Sequence, residues 1–250
     1  MGLHAPLFIG VVDRTLKPVQ RVLGFDTSTA LLSVALTAGP DVACERTVDP
    51  DPTGRPRHAR ELLAVVEDVI GEGGGWDRVD RIAVGLGPGT FTGLRIGIAT
   101  ARGLAQSSGL ELAGVSSLAA LAAGSEATKP VLAVIDAKRD EVFAALYEGG
   151  DEVWEASVGP PGDLAERVRG TGSTPIAVGD GAVRFRGELE ASGAEIPADE
   201  DGAHRVRARH VCLLAAGAEA GPLAEIKPTY LRRPDAELWR ERDRGTTSDR

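Results

Sequence analysis

Two stretches decide how this chain reads: Val22-Leu23-Gly24-Phe25-Asp26-Thr27-Ser28-Thr29 near the start, and Gly87-Pro88-Gly89-Thr90-Phe91-Thr92-Gly93-Leu94-Arg95-Ile96-Gly97 further on. The first is an apolar strand closed by an acidic residue and a polar turn. Leu31 to Leu36 then returns as a second strand, and Val42 to Val48 is expected as a third. The second stretch joins a strand expected at Arg81 to Gly85 to a helix expected from Leu94 to about Gln106. Between the two, Asp49 to Pro56 is rich in proline and reads as a loop. Leu62, Leu63, Val66, Val69 and Ile70 follow at helical spacing, with Glu61, Glu67 and Asp68 on the opposite side. Gly71 to Gly75 ends that helix. Strands followed by helices in this order predict an α/β layer architecture.

A second block opens near Lys129 with the same grammar. Val131 to Ile135 is a strand ending in Asp136, the polar turn Ala137 to Asp140 follows, and Val142 to Tyr147 returns. Another strand is expected around Val153, a short helix over Asp163 to Val168, and a strand at Ile176 to Val178 entering the turn Gly179-Asp180-Gly181. Strand, acidic turn, strand at the head of both blocks hints at a duplicated fold. Residues 1–20 fit no element and read as an N-terminal extension.

Composition narrows the function classes. The 250 residues are 42% apolar and 26% charged, which suits a packed core and not a disordered chain. No apolar run reaches the roughly 18 residues that cross a bilayer. Leu7 to Val12 is too short for a signal-peptide core, and Pro6 stands where a myristoylation signal needs Ser or Thr. A soluble, cytoplasmic protein without membrane partners is expected. The net charge of −9 disfavours a main grip on a phosphate backbone. Cys44 and Cys212 form no CxxC, and His4, His58, His204 and His210 have no helical metal-site spacing, so no metal site is expected. GxSxG is absent too, and no complete catalytic constellation is visible.

Two features leave alternatives open. Gly87 to Gly93 is either a plain strand-to-helix turn or an anion cradle at a helix start, although it matches neither a P-loop nor GxGxxG. Asp26, with Thr27 and Ser28, either caps its turn or holds a hydrated magnesium beside a phosphate. Asp136 poses the same question. In the helix after the glycine loop, Gly97, Ala101 and Ala105 form a stripe of small residues four apart. Leu94, Ile96, Ile98 and Leu104 spread around the rest. This helix is either a core element or, on one flank, a subunit interface.

Together the two opening stretches resemble the TsaB (YeaZ) family, the partner subunit of the bacterial machinery that makes threonylcarbamoyladenosine in tRNA. Asp136-Ala137-Lys138-Arg139-Asp140-Glu141-Val142-Phe143 is similar to that family's Asp-Ala-Arg-Arg-x-Glu-Val-Tyr segment, and Pro228-Thr229-Tyr230-Leu231-Arg232 to its C-terminal signature. Thr90, Lys138, Phe143 and Asp140 depart mildly from the pattern. The resemblance runs from about Val22 to Trp239.

That resemblance implies an actin-like ATPase fold of two ribonuclease-H-like domains with mixed sheets. The first would cover 21–123, completed by a C-terminal helix at about 208–240. The second would cover 124–207, and 241–250 would be a tail. It implies a scaffold with no catalytic site of its own, joined to the larger paralogue TsaD, which owns the metal and performs the transfer. It further implies that TsaE, an ATPase, would dock on the pair, that tRNA would be met only through the complex, and that the chain alone could pair with itself. The interface would map to Leu62, Leu63 and Val66 on the first helix, and to Leu94, Arg95, Gly97, Ile98, Ala101, Arg102 and Ala105 on the second. Asp26, Thr27, Ser28, Gly87, Gly89, Thr90, Thr92 and Gly93 would be a vestigial nucleotide loop. The chain would require no cofactor, with ATP or ADP and magnesium at the partner interface left open. The alternative is an actin-like ATPase or small-molecule kinase using Asp26 and the Gly87–Gly93 loop. A glycoprotease would need a metal site the sequence lacks.

Overall fold

A computed structural model describes residues 21–125 and 127–232. The expectations for residues 1–20 and 241–250 lie outside them. The chain begins with an antiparallel meander, β1 (Arg21–Asp26), β2 (Leu32–Ala38) and β3 (Asp41–Val48). It continues with α1 (His58–Glu72), β4 (Arg81–Gly85), α2 (Phe91–Ser108), β5 (Glu111–Val115) and α3 (Ser117–Ala123). The strands form one sheet of order β3-β2-β1-β4-β5, with β4 and β5 parallel to β1.

The pattern then repeats. Another meander, β6 (Val131–Lys138), β7 (Glu141–Glu148) and β8 (Asp151–Gly159), is followed by α4 (Pro161–Thr171), β9 (Ile176–Val178), α5 (Asp180–Arg184) and α6 (Arg186–Glu190). The second sheet, β8-β7-β6-β9, has the order of the first less one strand. α7 (Ala208–Ala216) returns to pack on β1 and β2. Two ribonuclease-H-like lobes with mixed sheets make the actin-like arrangement. Among the described residues no helix is long and apolar enough to cross a membrane.

The period-2 alternation of β1 explains how the layers stack. Leu23 and Phe25 enter a core with Leu62, Val66 and Val69 of α1 and Ile98, Ala101 and Ala105 of α2. Val22 points to the other face, into a core with Leu118 and Leu121 of α3, Val211 and Ala215 of α7, and Val131, Ala133 and Ile135 of β6. Gly24 lies on that face against α7, where a Cβ would stand 2.5 Å from the Cys212 sulfur. The outer face of the second sheet buries Leu132, Val134 and Leu146 under Leu164 and Val168 of α4. One core is therefore shared by both lobes and flanked by a private core on each side.

Several boundaries differ from expectation. Between Gln106 and Lys129, where no element was expected, stand β5 and α3. The Ser116 side chain caps α3 by accepting from the Ala119 amide at 3.3 Å. α2 begins at Phe91, not Leu94, so Thr92 and Gly93 belong to its first turn. Gly179 precedes a helix start, α5, instead of closing a free turn. The expected C-terminal helix at 208–240 stops at Ala216. Gly217, Gly221, Pro222 and Pro228 follow, and prolines, lacking an amide proton, cannot carry a helix onward. From Gly217 to Arg232 the chain is irregular, and 233–240 lie outside the described residues.

Candidate functional site

The C-terminal ends of β1 and β4 bring Asp26 and the glycine loop together. Asp26 is 1% exposed. Its Oδ1 accepts from the Ser28 amide at 2.8 Å and the Ser28 hydroxyl at 2.6 Å. Its Oδ2 accepts from the Ser117 hydroxyl at 2.6 Å. Ser117 also joins the loop, donating its amide to Gly87 O and accepting from the Gly87 amide. The Thr90 amide donates to Ser28 O at 2.7 Å, and the Thr27 hydroxyl donates to Gly93 O at 2.8 Å.

An anion cradle needs amides aimed outward, yet those of Gly87 and Thr90 are spent inside. A Cβ on Gly89 or Gly93 would collide with the carbonyl oxygens of Ser28 or Thr27, and one on Gly97 with the Thr27 hydroxyl. These glycines let α2 press onto the polar turn, while Gly87, at φ 93°, makes the sharp entry. Asp26 is a buried clasp between β1 and α3. A magnesium site needs oxygens open to ion and water, so Asp26 does not fit one. Among the described residues no group of three His, Cys, Asp or Glu side chains could hold a metal ion.

His58, at the start of α1, lies behind Gly93 and is 2% exposed. Burial lowers its pKa, against an opposing pull from the Asp26 charge. Burial and its hydrogen bond to Glu72 push the Cys44 thiol up to about 11, away from the thiolate that a nucleophile needs. Burial raises Cys212 as well.

Asp136 at the end of β6 mirrors Asp26 with different partners. Its Oδ1 accepts from the Lys138 amide and from Arg184 Nη1, each at 2.8 Å, and its Oδ2 pairs with Lys138 Nζ at 2.7 Å. Burial alone would raise this carboxyl, but the Lys138 hydrogen bonds and the Lys138 and Arg184 charges carry it below the ordinary value. Lys138, Arg139 and Asp140 all have positive φ, at 62°, 57° and 56°. Asp tolerates that conformation better than most residues, and Arg184 Nη2 holds Asp140 at 2.6 Å.

The expected helix interface needs correction. Leu62, Val66, Leu94, Gly97, Ile98, Ala101 and Ala105 are buried inside the chain itself. The small-residue stripe exists so that α2 can lie close on its own sheet and on Thr27, and it offers no surface to another molecule. Arg102 is half-buried and donates to the carbonyl of Ile226. Of the residues expected at the interface, Leu63, 57% exposed, and Arg95 face outward.

The true outer face of the paired helices is displaced around each axis. It carries Ala59, Arg60, Leu63, Ala64 and Glu67 on α1, and Phe91, Thr92, Arg95, Ala99 and Gly103 on α2. Ala99 and Gly103 form a second stripe of small residues four apart, exposed this time. Phe91 stacks on Tyr230 with ring centroids 5.3 Å apart, and the Arg95 guanidinium lies 3.7 Å over Phe91. Arg95 Nε donates to the Tyr230 hydroxyl at 3.1 Å. The sequence marks these positions without encoding which side of each helix is covered. Leu63 stands beside the charged side of α1, and Ala99 and Gly103 sit where a solvated helix would carry charge.

Comparison with known proteins adds to this geometry. The family model described as "TsaD: tRNA N6-adenosine threonylcarbamoyltransferase" matches residues 49–236. The tRNA threonylcarbamoyladenosine biosynthesis protein TsaB of Escherichia coli is 33% identical over 171 residues, covering 65% of this chain and 72% of that protein. The Bacillus subtilis protein of the same name is 25% identical over 228 residues, 88% of this chain and 98% of its own. The structure of YeaZ from Pseudomonas aeruginosa superposes with a TM-score of 0.68 at 28% identity, over 85% of this chain and all of that one. With the duplicated fold, the buried acidic turn and the glycine loop that seats α2, these matches show that the chain belongs to the TsaB (YeaZ) family.

Proposed function

We propose that this chain is a non-catalytic scaffold in the biosynthesis of threonylcarbamoyladenosine, at the adenosine next to the anticodon of tRNA. It would bind and activate a TsaD-like transferase through the outer face of α1 and α2. The observation that carries this reading is the contrast between two regions. The acidic turns are consumed by internal hydrogen bonds, while Leu63, Phe91, Ala99 and Gly103 leave apolar, closely approachable ground between the exposed charges of two adjacent helices. A standard interface removes about 1,600 Å² from water, which two helices with flanking loops can supply. A TsaE-like ATPase would dock on the pair, tRNA would be reached through the complex, and the free chain would pair through the same face. The chain itself would need no cofactor.

The test is size-exclusion of the purified chain with the larger paralogue. A one-to-one complex is expected, and Ala99→Glu with Leu63→Glu should abolish it while far-UV circular dichroism stays unchanged. Equal complex formation by that variant would remove the helix face from the interface. Steady ATP turnover by the isolated chain, lost in Asp26→Ala, would favour the kinase or ATPase reading instead.

A further inference from the structure

The chain after α7 does something the duplicated fold does not require. Arg102 on α2 holds the Ile226 carbonyl, and the Thr229 amide donates to Leu86 O at 2.8 Å, just past the end of β4. Tyr230 lies on Phe91 and Arg95 at the start of α2. All three anchors belong to the first lobe. Leu231 packs on the core shared by both lobes. Arg232 then crosses to the second lobe. Its Nη1 donates to Ala137 O at 3.0 Å, its Nη2 approaches Lys138 O at 3.5 Å, and the guanidinium pairs with Glu141.

We propose that residues 226–232 are an intramolecular clasp that holds the two lobes at one opening angle, Tyr230 gripping the first lobe and Arg232 the β6–β7 hairpin of the second. The reach is short. Thr229 and Arg232 are three Cα steps apart, at most about 11 Å, so the ends of β4 and β6 cannot part far without breaking one anchor. Enzymes that close on a ligand by hinge motion need that freedom. This molecule ties it off between the end of β4 and the β6–β7 hairpin. The guanidinium suits the task, because its fork meets two backbone carbonyls and a carboxylate at once. The proposal stands apart from the assembly reading and holds whether or not a transferase binds.

The test measures the angle directly. Spin labels at Ser107→Cys in the first lobe and Asp151→Cys in the second report the distance between lobes in the full chain. Cys44 is replaced by Ser and Cys212 by Ala. With the clasp intact, one narrow distance is expected, unchanged by Mg-ATP. Tyr230→Ala with Arg232→Ala should widen the distribution about twofold. Arg232→Gln alone, which leaves the Tyr230 stack and Leu231 in place, should widen it less while remaining folded by circular dichroism. A broad distribution in the intact chain, or an equally narrow one in Arg232→Gln, would overturn the clasp.

Discussion

Three donors converge on the Asp26 carboxylate, and the most informative of them is Ser117. Ser117→Ala removes the donor to Oδ2 and the acceptor for the Gly87 amide at once, leaving buried polar groups unpaired. A loss of about 1–3 kcal/mol is expected for such groups, read as a lower urea midpoint with an unchanged slope. Two histidines add to the acid sensitivity of the fold. Burial holds His58 and His210 neutral in the fold, lowering His210 to about 4 from the ordinary 6.5. In the unfolded chain they take up protons near 6.5, so acid favours unfolding. Stability should fall as the pH drops below about 6.5 and continue falling toward 4. Urea midpoints at several pH values check this, and His210→Gln should flatten part of the slope.

At the scale of the helix, the two faces of α2 have opposite duties. Ala101 is wholly buried and Ala99 is exposed, two positions apart. Glutamate at 101 puts an unpaired charge in the core and should cost several kcal/mol or prevent folding. Glutamate at 99 should leave the melting temperature within about 2 °C, since exposed substitutions change stability little, and act on partner binding alone. Thermal melts of both variants beside the complex assay separate fold from interface. A strong apolar stripe was legible in the sequence, but which side of it faced inward was not. Gly97 and Ala101 look equally suited to a neighbouring helix and to the chain's own sheet until Thr27 is seen beneath Gly97.

Across the whole molecule, one core runs through both lobes by way of α3 and α7. Unfolding should therefore be a single cooperative event. Leu132→Ala, in the private core of the second lobe, should cost about 2–5 kcal/mol. It should lower the opening energy of amides in β1 and β6 alike, which hydrogen exchange can measure. Slower exchange in β1 than in β6 by a margin near the full stability would mean the lobes unfold separately.

Local rules made much of this chain readable in advance. The apolar runs of β1, β4 and β6, the helical period of α1, and the glycine loop between strand and helix follow from side-chain period and backbone freedom, which act over a few residues. So the α/β class, the repeated strand–acidic turn–strand openings and the family resemblance were all present in one dimension. Partners distant in the chain settled the rest. Ser117 made Asp26 a structural clasp, Thr27 turned the small stripe of α2 inward, and Arg232 found the hairpin of the other lobe. Only the folded backbone brings those groups within hydrogen-bond reach, and no spacing along the chain encodes which of two equally apolar faces ends up covered.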